Sequence, residues 1–389
     1  MFCPQLSCPE FLCADESECI YSNKVCDGVK DCFDGSDEGR HCGPSSCEGI
    51  NFDGVIPSGA ESICESGYAF NIVTKKCQVR KIGKHIFDIF SHPLFHHQDI
   101  NECVTFGTCT QGCVNTNGSF YCTCENNFIL KHDNQTCIAL ERDAVLHFST
   151  AKSINRVHLT SHSKETIQKT KEAIGLTYDG KSIFWTDFTN GQESIIKSTK
   201  GEQEILVTEG LETPESLAID WLTGNIYFSD AYFRHIAVCT NSGHYCTQLV
   251  SADAIEKPRS IALHPAKSLM FWTDWGQSAH IGVAFMDGSD AKILVGNLGW
   301  PNGVTLDWPN DRLYWVDAKR QTIESVTVKG NDRRVILADV IKHPFAIAVF
   351  EDKLYWSDWD KLNIESCNKF TGQDLESLVE GEFIYGKLC

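Results

Sequence analysis

The chain has 389 residues, with 52 acidic and 34 basic side chains and a net charge of −18 at pH 7. That balance excludes nucleic acid as a natural partner and favours calcium and basic protein surfaces. Of its 20 cysteines, 16 lie before residue 140 and four after it. This separates a front of small stapled modules from a back domain with its own core, and implies an oxidising compartment.

Residues 8–42 carry six cysteines, Cys8, Cys13, Cys19, Cys26, Cys32 and Cys42, around the run Cys26-Asp27-Gly-Val29-Lys30-Asp31-Cys32-Phe-Asp34-Gly-Ser-Asp37-Glu38. So little apolar material leaves disulfides and a metal to replace a core. The clustered carboxylates repel one another unless a hard cation sits among them, and calcium takes six to eight oxygens. The stretch resembles the class A ligand-binding repeat of the low-density lipoprotein receptor family. That resemblance implies calcium held by the side chains of Asp27, Asp31, Asp37 and Glu38 with the carbonyls of Lys24 and Val29. It also implies bridges Cys8–Cys19, Cys13–Cys32 and Cys26–Cys42. Many such repeats carry an exposed aromatic where this chain has Lys24, which repels a ligand lysine. Cys3 falls outside the six.

Residues 47–77 resemble an EGF-like module that has lost half its framework. Cys64-Glu-Ser-Gly-Tyr68-Ala-Phe70, closing at Cys77, matches the last loop and implies Cys64–Cys77, while Cys47 alone precedes it. Residues 78–98 belong to no module. Removing 79–98 joins Cys77-Gln78 to Asp99-Ile100-Asn101-Glu102-Cys103, the tight junction that the family uses between EGF-like modules, so the stretch reads as an insert compatible with an intron read through in frame. It holds His85, His92, His96 and His97, but without tetrahedral ligand spacing an exposed insert is preferred to a zinc site.

Residues 99–137 carry cysteines 103, 109, 113, 122, 124 and 137 with Asp99-Ile100-Asn101-Glu102-Cys103 and Cys113-Val-Asn115-Thr-Asn-Gly-Ser-Phe120-Tyr-Cys122. This resembles the calcium-binding EGF consensus. The implied ligands are the side chains of Asp99, Glu102 and Asn115 and the carbonyls of Ile100, Thr116 and Ser119. The implied bridges are Cys103–Cys113, Cys109–Cys122 and Cys124–Cys137. Asn117-Gly-Ser119 and Asn134-Gln-Thr136 are glycosylation sequons, in keeping with secretion.

From residue 143 to 389 the chain repeats one phrase five times. It reads Phe184-Trp185-Thr186-Asp187, Tyr227-Phe228-Ser229-Asp230, Phe271-Trp272-Thr273-Asp274, Tyr314-Trp315-Val316-Asp317 and Tyr355-Trp356-Ser357-Asp358, the aspartates 43, 44, 43 and 41 residues apart. A second phrase keeps step, beginning at Pro214, Pro258, Pro301 and Pro344. A repeat of about 40–50 residues with strand-like runs points to a β-propeller. Adjacent aromatics on a strand face opposite sides, so both faces need covering, as stacked blades provide. Each aspartate reads as a cap on backbone N–H groups, since a catalytic residue has no reason to recur once per blade.

The phrase resembles the YWTD propeller of the same receptor family, which has six blades. Leu146-His147-Phe148-Ser149-Thr150 and Ile154-Asn-Arg-Val157 would start the first blade. Its innermost strand would come from the C-terminal end, where Phe383–Cys389 is only the beginning. The expected fold is thus mostly β: small disulfide-rich calcium-binding modules, then a six-bladed propeller with a truncated closing strand and an exposed edge in the first blade. Cys239 and Cys246 flank a turn signal, Asn241-Ser-Gly243, and read as a hairpin bridge. Cys367 and Cys389, like Cys3 and Cys47, have no evident partner.

The module order implies an endocytic receptor on the extracellular side of the plasma membrane and in endosomes. It would take lipoprotein or vitellogenin-like cargo through basic patches and release it at low pH. His343 matches a family histidine implicated in that release, while its partner position reads Gln321. Met1-Phe2-Cys3 enters a cysteine module without a signal peptide, and no apolar run reaches the length of a membrane span. A membrane anchor would lie outside a chain that reads as part of a longer protein or an incomplete gene model. The alternative is an adhesion or signalling co-receptor, of Wnt-co-receptor or nidogen type, whose propeller is itself the ligand surface. No nucleophile–base–orienter set or phosphate loop points to an enzyme.

Overall fold

The computed structural model describes residues 99–140 and 143–384, together with 386, 388 and short stretches at 11–12, 19–20, 30, 32, 68–71 and 76–79. The class A calcium set (Lys24, Asp27, Val29, Asp31, Asp37, Glu38), the bridges Cys8–Cys19, Cys13–Cys32, Cys26–Cys42 and Cys64–Cys77, and the insert histidines rest on positions outside these residues. The chain divides into two compact units, one of residues 1–101 with 116–119, the other of 102–115 with 120–389. In the first, Phe11–Leu12 pairs antiparallel with Cys19–Ile20, and Tyr68–Asn71 with Lys76–Val79.

The EGF-like module contains two short hairpins, Gly112–Thr116 with Ser119–Thr123 and Phe128–Leu130 with Cys137–Ala139. It is stapled by Cys103–Cys113, Cys109–Cys122 and Cys124–Cys137. Asn117 and Asn134 are both exposed.

Six antiparallel sheets follow, forming a six-bladed propeller. The fourth blade is representative, running Pro258–His264, Leu269–Asp274, His280–Phe285 and Lys292–Val295 from the channel outward. The paired aromatics of the repeated phrase cover both faces of their blades. Trp185 packs with Ile154 and Ile167 of the first blade. Phe184 packs with Leu217, Ile226 and Phe228 of the third. Trp185, Trp272, Trp315 and Trp356 are each at most 1% exposed, so these seams of aromatic and aliphatic side chains are the core.

The closing aspartates bolt the ring together. Asp230 accepts the backbone N–H groups of Glu212 and Thr213, in the loop entering its own blade, and those of Tyr232 and Phe233 in the following turn. Asp274, Asp317 and Asp358 repeat this on Glu256 and Lys257, on Gly299 and Trp300, and on Lys342 and His343. In the last four blades one short side chain thus satisfies backbone donors that would otherwise be buried unpaired at the crossing between blades; in the second, Asp187 accepts the Thr189 N–H of the following turn.

The first blade has three strands, Val145–Thr150, Ser153–His158 and Lys164–Lys169, against four in each of the others. Its inner edge is not simply left open. Ile384 and Leu388 are buried with Leu146, Phe148 and Val157. Gly386 lies so near the Ile174 carbonyl and Ser149 hydroxyl that a Cβ there would overlap both. Trp359 Nε1 donates to the Ile384 carbonyl at 2.6 Å, and Lys164 pairs with Glu382 across the seam. Burial and anchoring hydrogen bonds, with the Glu382 N–H also donating to the Leu362 carbonyl at 3.0 Å, hold the described part of this run in place.

Cys239 and Cys246 are bonded. Cys367 is a free cysteine, buried, and burial beside Glu365 pushes its thiol up to about 12, so it behaves as an inert apolar side chain. Among the described residues no helix is long and apolar enough to cross a membrane.

Truncating Trp315 to alanine should cost about 3–5 kcal/mol of propeller stability by cavity formation. Asp317→Ala should cost about 1–3 kcal/mol by orphaning the Gly299 and Trp300 N–H groups. Urea unfolding followed by circular dichroism measures both, and an unchanged midpoint for Asp317→Ala would remove the bolt from the account.

Candidate functional site

Every inner strand from the second blade onward carries one extra residue near its start. In the fourth blade Pro258 opposes Asp274 but Ile261 opposes Trp272. The same shift follows Ala173, Pro214, Pro301 and Pro344. A bulge re-aims the side chains beside it. The residues after the prolines, Glu215, Arg259, Asn302 and Phe345, gather at one end of the ring. Arg259 Nε lies 3.0 Å from Glu215 Oε2, and its Nη1 donates to Asn302 Oδ1 at 2.6 Å. Asn302 Nδ2 in turn donates to the Pro344 carbonyl at 2.9 Å.

Aromatic rings extend from this polar hub. The Arg259 guanidinium lies 4.5 Å over Trp275 and 5.3 Å from the Phe345 ring, and Lys257 Nζ is 4.4 Å over Trp275. Phe345 stacks on Trp359 at 4.0 Å. His343 stacks between Trp359 at 5.4 Å and Trp300 at 6.4 Å. Its backbone N–H is held by Asp358 at 3.1 Å, and its Nδ1 is 3.9 Å from Asp360 Oδ1. Gln321 does not face an imidazole; its amide donates to the Lys342 carbonyl at 3.1 Å. Trp300 is 48% exposed, and Lys257, Lys319 and Lys342 on the surrounding loops are exposed. On a chain of net charge −18 this is a cationic, aromatic face, suited to an acidic partner with an apolar component.

Sequence reasoning singled out His343 but missed Arg259, Trp275, Phe345 and Trp359. A signal was available. The residue after each proline changes from Glu215 to Arg259, Asn302 and Phe345 while the positions around it keep step, which marks a variable position on a fixed frame.

On the third blade, the loop after Asp230 places Phe233 flat against His235 at 5.9 Å and 9°. Burial holds the His235 imidazole below its ordinary value, against the opposing pull of Asp230. The unfolded chain therefore takes up a proton that the folded one refuses as pH falls below about 6.5.

The EGF-like body docks on the opposite end of the ring. Lys369 and Asp307 form an ion pair at 2.7 Å, with side chains 2% and 3% exposed. Lys369 Nζ and Asn310 Nδ2 both donate to the Thr110 carbonyl, at 3.2 and 2.8 Å. Phe106 packs edge-on to Phe370 at 5.2 Å, with the guanidinium groups of Arg312 and Arg334 at 4.5 and 4.6 Å. Glu351 accepts the Ala139 N–H at 2.8 Å. None of this contact was legible in the sequence.

The EGF calcium set divides between the two compact units. In one, Asp99 Oδ1 accepts the Gly118 N–H at 2.6 Å, within the turn that carries Thr116 and Ser119. In the other, Glu102 opens the short 3-10 turn Glu102–Val104, and Asn115 lies near the end of its strand. Both Glu102 carboxylate oxygens are buried without a hydrogen-bond partner among the described residues. Such a carboxylate needs a cation, so this donor chemistry fits calcium.

Stapled EGF-like module and YWTD-type propeller together define a modular extracellular-type architecture. Family models for "Low-density lipoprotein receptor repeat class B" match residues 268–308 and 311–351, that for "Low-density lipoprotein receptor domain class A" matches 6–42, and that for "Calcium-binding EGF domain" matches 99–137. The chain belongs to the low-density lipoprotein receptor family. It is 40% identical over 342 residues to vitellogenin receptor Yl of Drosophila melanogaster, covering 84% of this chain and 16% of that protein. The vitellogenin receptor of Solenopsis invicta is 39% identical over 325 residues, covering 72% and 18%. The chain thus spans about a sixth of the length of these receptors. The low-density lipoprotein receptor-related protein 5-like protein of Homo sapiens is 33% identical over 189 residues, covering 48% of this chain and 74% of that protein. Among solved structures, a chain of a nidogen/laminin complex superposes with a TM-score of 0.57 at 26% identity, covering 63% of this chain and 97% of that one.

Two outcomes follow. Lys369→Met should destabilise the docked module by about 3–5 kcal/mol, because it strands the Asp307 carboxylate, and adding Asp307→Leu should recover most of that loss; urea unfolding of the single and double variants measures it. Stability contributed by the His235 imidazole is complete above about pH 6.5 and is lost as pH falls toward its lowered folded value. The melting temperature should therefore drop less between about pH 7.5 and 5.5 in His235→Gln than in the parent chain by calorimetry.

Proposed function

We propose that this chain is part of the extracellular region of an endocytic receptor for lipoprotein or yolk-protein cargo, binding at neutral pH and releasing in the endosome. The observation that carries the reading is its likeness, across most of its length, to two vitellogenin receptors. It is a binding protein rather than an enzyme, anchored through a span outside this chain. The class A repeat holds calcium through Asp27, Asp31, Asp37 and Glu38 with the carbonyls of Lys24 and Val29, and turns its remaining negative charge toward basic patches on cargo. In the EGF-like module the calcium ligands are Asp99, Glu102 and Asn115 with the carbonyls of Ile100, Thr116 and Ser119. Calcium there supplies charge neutralisation and a stiff joint. Asn117 and Asn134 carry N-linked glycans.

The propeller face supplies release. Histidine changes charge between about pH 8 and 5. Protonated His343 adds to Lys257, Lys319 and Lys342 beside Trp300 and Trp359, and the strengthened positive face competes for the acidic repeats. Gln321 does not titrate, so the pH response rests on His343 without a histidine partner.

A second reading is favoured by the exposed Trp300 and by the likeness to the nidogen/laminin chain. In it the face binds a protein ligand directly at neutral pH. Surface plasmon resonance against purified yolk lipoprotein separates the two. The cargo reading expects EDTA to reduce affinity at least tenfold at about pH 7.4. His343→Ala should leave neutral binding intact but slow release at about pH 5.5. Neutral binding that survives EDTA yet falls with Trp300→Ala would replace the first reading with the second.

A further inference from the structure

A cleft of about 700 Å³ opens between the first and second blades, at the same end of the ring as His343 but two blade junctions further round. Trp185, Ile196 and Ile205 line it on the second blade, and Lys169, Thr170 and Lys171 on the first. Its cause is visible when the repeats are compared. The residue across the sheet from the buried tryptophan closes this space elsewhere. In the fourth blade it is Gly282, and the Trp272 ring lies so close that a side chain there would overlap it. In the fifth it is Glu324, paired at 2.8 Å with Arg333, whose guanidinium lies 5.3 Å from Trp315. In the sixth it is Glu365, paired with Lys361 at 2.8 Å. In the second blade it is Ile196, which brings no ion pair.

The second blade also has the longer connection after its aspartate. Residues 188–193 separate its middle strands, against 231–234, 318–321 and 359–362 in the third, fifth and sixth blades. The extra residues raise a wall carrying Gln192, whose side-chain carbonyl accepts from Lys171 Nζ at 3.1 Å.

What the cleft offers a ligand is mostly donors. The Trp185 indole N–H and the Thr170 hydroxyl are buried and have no hydrogen-bond partner among the described residues. The indole N–H is likewise unpartnered in Trp272, Trp315 and Trp356, but those rings face the fillings just described, whereas Trp185 borders open space. The anionic groups are already engaged. Asp187 accepts the Thr189 backbone N–H at 3.0 Å and its hydroxyl, and Glu193 accepts the Gly191 N–H at 2.9 Å. Beside these donors sit two lysines and the aliphatic side chains Ile196 and Ile205, the latter 62% exposed.

We infer that this cleft is a second protein-binding site, taking an acidic peptide segment in which an aspartate or glutamate neighbours a leucine-like residue. The carboxylate meets the Lys169 and Lys171 ammonium groups, a backbone or carboxylate oxygen accepts from Trp185 and Thr170, and the apolar side chain covers Ile196 and Ile205. Two aliphatic side chains are too few to sheathe an acyl chain, which sets a lipid tail aside.

The test uses the whole chain labelled with nitrogen-15 at its nine tryptophans and the acetylated, amidated peptide Gly-Leu-Asp-Leu-Gly. The Trp185 indole resonance, assigned by its loss in Trp185→Phe, should move on titration to about millimolar peptide. Replacing the peptide's aspartate by asparagine should weaken binding at least tenfold, as should the exposed changes Lys169→Glu with Lys171→Glu. Trp300→Ala, on the loop between the fourth and fifth blades, should leave the titration unchanged. A Trp185 signal that stays still overturns the proposal. So does binding that ignores the aspartate or survives the double lysine reversal. If Trp185→Phe fails to fold, Ile205→Asp supplies an independent variant, and undiminished affinity there also overturns it.

Discussion

One aspartate in each of the last four blades holds this propeller to its geometry. There the side chain ending the repeated phrase accepts N–H groups from the loop entering its blade and from the turn leaving its strand. Without it, each crossing would leave buried donors unpaired at a cost of about 1–3 kcal/mol apiece. The neighbouring tryptophan supplies the complementary apolar seam. Adhesion between blades and fixation of the loops are thus written side by side in four residues. The loops so fixed are the ones that carry Lys257, Trp300 and His343 to the cationic, aromatic end of the ring.

Much of the ring was legible because its cause is local and repeated. Period, strand content and the double-sided aromatics together admit few architectures other than stacked blades. The bulge after Pro258 was not legible, since a one-residue slip in register leaves no mark on composition. Nor was the docking of the EGF-like body, which depends on Thr110 meeting Lys369 and Asn310 across some 200 residues or more of chain. Lys369 in isolation reads as an ordinary turn lysine; its burial appears only when a second module covers it.

The two ends of the propeller do different physical work. At the docked end, charge is buried and saturated, so the Asp307–Lys369 pair specifies a single arrangement more than it adds stability. At the other end, charge is exposed and flanked by rings. There the Asn302 side chain links Arg259 on the blade before its own to the Pro344 carbonyl on the blade after it, so this surface rests on the shared rigidity of three successive blades.

The bulge on each inner strand has a consequence for how such a surface changes over time. The residue beside the bulge is turned out of the ladder toward the end of the ring, where it meets its counterparts on neighbouring blades. Glu215, Arg259, Asn302 and Phe345 occupy equivalent places yet share no chemistry. The ring thus varies its chemistry at this end while the bulge and the strands that carry it keep one frame.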